Sequence, residues 1–161
     1  MEHATHQFSY LVAKDISELS QSDSELLVRA IALTKIAYAP YSKFQVASVA
    51  RLANGKIVEG TNQENASYPV GICAERALLG SIGTLFPNEI IETIAITYQP
   101  SNGKSDRPIS PCGMCRQALY EYETRVNHSI RLILAGKEGN IFIVNTVKDL
   151  LPFSFGSEDL Q

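Results

Sequence analysis

Three cysteines constrain this chain more than any other feature. Cys112 and Cys115 stand three apart at the predicted start of one helix, and Cys73 stands at the predicted start of another. Residues three apart on a helix share a face, so all three sulfurs can converge on one point if the two helix starts lie together. Helix N-termini carry partial positive charge and free N–H groups, which favour the thiolate that a metal requires. Soft sulfur ligands in a tetrahedral array select zinc, and three protein ligands leave a fourth position open for water, as catalytic sites do. An odd cysteine count also fits a secreted disulfide framework poorly. The plainer alternative is a structural or redox Cys-x-x-Cys pair with a third cysteine buried by coincidence. That reading leaves Glu75 and Pro111 without a reason. His3, His6 and His128 lie away from the cysteines and are not needed as ligands.

With 161 residues, 45% of them apolar, the chain is long enough to bury one core without disulfide staples, and a single domain over residues 1–161 is expected, with 1–22 as an N-terminal extension. A formal net charge of −3 with scattered Lys and Arg offers no basic stripe for a phosphate backbone, so a nucleic-acid partner is disfavoured. There is no charged leader with an apolar core and cleavage site, and no apolar run of about 18 residues able to span a bilayer. A cytoplasmic protein without a membrane partner is expected.

Hydrophobic periodicity and punctuation order the rest. Residues 7–13 could form a short strand. Ser22 or Asp23 is expected to cap an amphipathic helix over 25–38, with Leu26, Leu27, Ala30, Ile31, Leu33 and Ala37 inward and Pro40 as its stop. Residues 46–52 and 57–61 read as an antiparallel pair joined at Asn54-Gly55. A helix over 73–85, a strand over 91–98 and a long loop over 99–110 follow. Pro111 is placed to open a helix through 122, after which 130–135 and 141–145 form two strands and 147–151 a short helix. The order predicts an α/β fold: a three-layer α/β/α arrangement, with a mixed five-stranded sheet and helices on both faces.

Glu75, two positions after Cys73, is an unlikely fourth ligand in a sulfur site but well placed to point into the same cavity. Zinc lowers the pKa of bound water to roughly 7, and a neighbouring carboxylate can then move its proton to a ring nitrogen and a leaving amine. The expected chemistry is hydrolytic deamination. Three thiolates leave the site net negative, which weakens a Lewis acid, so Arg76 is the candidate for offsetting that charge by hydrogen bonds to the sulfurs, aided by the helix dipoles.

Residues 73–76 (CAER) and 110–117 (SPCGMCRQ) resemble the two signatures of cytidine deaminases of the small, homotetrameric type. A three-cysteine ligand set with a non-ligand glutamate is itself a described arrangement of zinc deaminases. The resemblance runs from about residue 39 to 160 and includes YSKFQV at 41–46, NQENASYPVGICAER at 62–76 and LLPFSFGSEDL at 150–160. It implies Asn62 and Glu64 as a clamp for the ribose hydroxyl, Phe44 and Val46 as walls of the pyrimidine pocket, and backbone groups of Ala74 and Ser110 as readers of the base edge. It also implies that Phe155 reaches the site of a neighbouring subunit, that Tyr68 lies near the subunit interface, and that Arg76 lies near the thiolates. The chain departs from the family at Ala47-Ser48, where Gly-Ala is usual, and an added methyl at Ala47 is expected to crowd the pocket or shift the strand.

The expected activity is therefore zinc-dependent deamination of cytidine and 2′-deoxycytidine to the uridines in pyrimidine salvage. A deaminase of an antibiotic such as blasticidin S shares the CAE and PCGxCRQ signatures but does not need a ribose clamp. A nucleic-acid editing deaminase is opposed by the acidic balance and by a first ligand that is Cys instead of His. A non-catalytic zinc-bearing interaction protein remains the alternative outside enzymology.

Overall fold

A computed structural model describes residues 1–160. Six strands form one sheet: β1 (Leu11–Ala13), β2 (Phe44–Leu52), β3 (Ile57–Thr61), β4 (Ile91–Pro100), β5 (Arg131–Ala135) and β6 (Ile141–Val144), in the order β1-β6-β5-β4-β2-β3. The β4–β5 pair is parallel and the other pairs are antiparallel, so the sheet is mixed. Helix α1 (Gln21–Leu33) covers one face, while α2 (Ala74–Leu85) and α3 (Gly113–Val126) cover the other. The three-layer arrangement is as the sequence predicts. The sixth strand is the difference: three residues of the N-terminal segment pair with β6, giving its backbone groups partners along what would otherwise be a free edge.

Alternation along the central strands builds two cores. Ile94 and Ile96 of β4 and Leu132 and Leu134 of β5 pack against Leu78, Ile82 and Leu119 of α2 and α3, all buried. Ala95 and Ile133 face Leu26, Leu27 and Ala30 of α1. Each fully buried Leu or Ile contributes about 1.5–3 kcal/mol, so both faces are held by apolar packing.

Helix α1 starts four residues before the predicted 25, because Ser20 is the cap, its Oγ accepting from the Asp23 N–H at 3.2 Å. Asp23 is instead buried in the first turn, where Arg131 of β5 grips both its carboxylate oxygens at 3.0 and 2.9 Å. The helix ends at Leu33 and tightens into a 3-10 turn over Thr34–Ile36. Strand β2 begins at Phe44 and β4 runs on to Pro100, each two residues beyond its expected bound, because the two pair along their whole length. Gly55 takes the left-handed φ of 78° that the β2–β3 turn needs.

Gly60 on β3 positions the site. A Cβ there would meet the Ala74 carbonyl at 2.4 Å and the Leu78 N–H nitrogen at 2.6 Å, so α2 lies directly on the strand backbone. Pro111 sits outside α3, one residue before the N-cap, and not at the first helical position; Cys112 holds the cap and Gly113 begins the helix.

Candidate active site

Cys73 caps α2 and Cys112 caps α3, neither with a side-chain capping bond, and Cys115 lies buried in the first turn of α3. The three Sγ atoms lie within 4.8 Å of one another, with Cys73 to Cys112 at 3.8 Å and Cys112 to Cys115 at 3.5 Å. Tetrahedral zinc with Zn–S bonds of about 2.3 Å sets its sulfurs about 3.8 Å apart. The donor set and its spacing therefore fit zinc, and the three predicted ligands do converge.

The electrostatics favour metal capture. The Cys73 thiol is lowered to about 6, first by a hydrogen bond from Cys115, with Cys112 and the Arg76 charge adding to it against burial. Cys115, the proton holder of that pair, is pushed up for the same reason and by burial. Arg76 is half-buried and acts here through its charge; no hydrogen bond from it to a sulfur is formed among the described residues. Glu75 is 4% exposed, and burial pushes its carboxyl above the usual range, with the Cys73 charge adding to the rise. A carboxylate so placed takes up a proton readily.

A cavity of about 570 Å³ opens at this cluster. Phe44, Val46, Asn62, Glu64, Cys73, Ala74, Glu75, Ser110 and Cys112 all line it, as does Tyr68. Asn62 accepts from the Val46 N–H at 2.8 Å and donates to the Phe44 carbonyl at 2.9 Å, pinning the first residues of β2. Glu64 accepts from the Tyr41 and Ser42 N–H groups at 2.9 and 3.2 Å and from the Ser42 hydroxyl, the last being the first cause of its lowered pKa. Each keeps spare capacity, a second amide hydrogen on Asn62 and remaining lone pairs on Glu64.

Phe155 does not line its own chain's cavity and is 59% exposed. Its carbonyl accepts from Gln117 Nε2 at 2.9 Å. Ala47 does not crowd the cavity. It is fully buried and points to the α1 side with Val49, whereas Phe44, Val46 and Ser48 face the other side.

The residues missed in the sequence are those that hold the walls. Tyr41 and Ser42 line the cavity through the loop that Glu64 ties down. Arg116 donates from Nε to the Pro111 carbonyl and from Nη1 to the Leu150 carbonyl, both at 2.8 Å, so it fixes the residue before Cys112 and the C-terminal turn together. Its adjacency to Cys115 was the available signal.

A buried carboxylate beside three convergent thiolates, lining a cavity in an α/β/α fold, defines a hydrolytic zinc enzyme. Residues 20–129 match the family model described as the cytidine and deoxycytidylate deaminase zinc-binding region, and the chain belongs to that family. It is similar to a cytidine deaminase of Halalkalibacterium halodurans, 34% identical over 86% of this chain and 98% of that protein. The crystal structure of a cytidine deaminase from Burkholderia pseudomallei superposes with a TM-score of 0.70 at 34% identity, covering 85% of this chain and all of that one. A blasticidin-S deaminase of Bacillus cereus is 26% identical over 85% of this chain and 94% of its own length. Zinc is the cofactor. Among the described residues no helix is long and apolar enough to cross a membrane.

Proposed function

We propose that this chain hydrolyses cytidine and 2′-deoxycytidine to uridine and 2′-deoxyuridine with release of ammonia. The single observation that carries this is the cavity that joins Glu75 and the three thiolates to Asn62 and Glu64. When bound at Cys73, Cys112 and Cys115, zinc supplies an acidified water as nucleophile. Glu75 would carry one proton of the attacking water to N3 of the ring as the water oxygen bonds to C4, and the remaining proton of that oxygen to the exocyclic amine as the C4–N bond breaks and ammonia leaves. Phe44 and Val46 flank the ring, backbone groups of Ala74 and Ser110 read its edge, and Asn62 and Glu64 bond the ribose hydroxyl. Arg76 lowers the negative charge at the sulfurs.

The reading extends to pyrimidine salvage in the cytoplasm by one domain spanning residues 1–161. A homotetramer is supported by Phe155, whose exposed ring stands clear of its own site. Light scattering tests the assembly, and F155A is expected to raise KM while leaving the zinc content intact. Ammonia release from cytidine tests the reaction. Zinc-loaded protein that turns over neither cytidine nor deoxycytidine would overturn it. A blasticidin reading is carried by one similar relative and is opposed by the presence of Asn62 and Glu64 in the cavity lining, a pair with no hydroxyl to clamp on that substrate. Preference for blasticidin S over cytidine in direct competition would reverse that order.

A further inference from the structure

Phe44 and Tyr98 form a near-parallel stack, ring centroids 5.0 Å apart and planes 19° apart. Val46 pairs directly with Tyr98 in the β2–β4 register, and Phe44 pairs with Pro100, so both rings lie on the cavity side of the sheet as diagonal neighbours. Their surroundings differ. Tyr98 is 4% exposed and lies behind the cavity wall, whereas Phe44 is 37% exposed and lines it. One face of Phe44 is therefore covered by Tyr98 and the rest stands open to a ligand.

Phe44 is the first residue of its strand, where a side chain has few neighbours. Its backbone is tied at both ends, the N–H to Ser42 Oγ at 3.0 Å and the carbonyl to Asn62 Nδ2 at 2.9 Å. Those bonds hold the main chain but leave the ring free to choose a rotamer. Tyr98 removes that choice. It is itself anchored, because its carbonyl accepts from Ser105 Oγ, which in turn accepts from the Lys137 N–H at 2.8 Å.

We propose that Tyr98 is a positioning residue for the substrate ring: it holds Phe44 flat as a stacking platform, so that a planar pyrimidine continues the stack. This rests on the cytidine reading above. An offset aromatic stack grips the ring before and during reaction, so its loss appears as uniform binding, in KM and not in kcat.

The test is steady-state deamination of cytidine by zinc-loaded Tyr98→Leu and Tyr98→Met, the second keeping side-chain bulk and flexibility if the first is insoluble. Losing one aromatic pair is expected to raise KM about 3- to 10-fold, with kcat within about twofold. Tyr98→Phe, which keeps the ring, is expected to rescue KM. In a Phe44→Leu background Tyr98→Leu is expected to add less than about twofold, because Tyr98 acts through Phe44. Unchanged KM in active, folded variants, or kcat and melting temperature falling together with no change specific to KM, would overturn the inference alone. Wild-type protein without cytidine turnover would overturn the reaction itself, and this inference with it.

Discussion

Replacing Gly60 by alanine adds one methyl at the place where the fold has no room for it. The new Cβ would stand 2.4 Å from the Ala74 carbonyl oxygen, 2.6 Å from the Leu78 nitrogen and 2.8 Å from the Leu78 Cβ. Two of these atoms belong to the α2 backbone, so no side-chain rotation relieves the clash. Ordinary contact begins near 3.4 Å, so helix and strand must separate by about 1 Å. Overpacking of this kind costs about 1–3 kcal/mol of stability. The functional cost is larger. Ala74 stands between Cys73 and Glu75, and a misplacement of about 1 Å at reacting groups costs on the order of 100-fold. If α2 yields, G60A lowers kcat by about that factor and weakens zinc retention. If β3 yields instead, being the edge strand, Asn62 at its end is displaced and KM rises. Cytidine kinetics, zinc content after dialysis and thermal melting separate the two. Wild-type kinetics and zinc retention in folded G60A would refute the claim that this contact sets the catalytic geometry.

Glu75→Gln keeps the shape and removes the base, so kcat is expected to fall by about 10²- to 10⁴-fold with zinc content unchanged; a loss under tenfold would assign proton transfer elsewhere. Arg76→Ala removes a charge that helps hold the Cys73 thiol low, and competition with a chromogenic chelator should show weaker zinc retention; equal retention and activity would mean that the helix dipoles suffice. At Asp23, burial favours the neutral acid, but bidentate pairing with Arg131 overcomes it and the pKa is lowered. A lowered carboxyl stabilises the fold fully above its unfolded value near 3.9, and that stabilisation disappears as pH falls through the folded value. Asp23→Asn is thus expected to cost about 1–3 kcal/mol at pH 7 in denaturant melts, with the gap to wild type closing in acid, and a gap independent of pH would contradict the pairing. The Ser48 hydroxyl is fully buried without a hydrogen-bond partner among the described residues, so Ser48→Ala is expected to raise stability by about 1 kcal/mol; a loss would reveal a partner for it.

What was legible in the sequence was whatever follows from chemistry at short range or from strict periodicity. Cys112 and Cys115 share a helix turn, and Cys73 and Glu75 share another, so the convergence of three sulfurs beside a carboxylate could be read from spacing. The alternating apolar residues of β4 and β5 identified the sheet and its two covered faces. What escaped was set by contacts remote in the chain. Ser20, and not Ser22, caps α1, because the Asp23 that could have capped it is drawn into a bidentate pair 108 residues away. The short strand expected within 7–13 forms only over Leu11–Ala13, and its place as a sixth strand of the sheet is defined by its pairing with β6. The expected crowding by Ala47 does not arise, for a simpler reason: side chains alternate along a strand, and if Val46 faces the cavity, Ala47 cannot.

The same distinction explains how the cavity divides its labour. The reacting groups sit at the starts of two helices, where N–H groups and dipoles stabilise thiolates without distant support. The residues proposed to contact ring and ribose sit on β2 and the loops around it, held by side chains that also bond the backbone: Asn62 to residues 44 and 46, Glu64 to 41 and 42. A residue that both holds the wall and faces the ligand cannot be replaced without disturbing both. Substitution of Asn62 or Glu64 is therefore expected to shift the position of Phe44 as well as to remove a ribose contact. Loss of binding for a nucleoside lacking the relevant hydroxyl would then be smaller than the loss caused by either substitution. Equal losses would show that the two side chains act on the ribose alone.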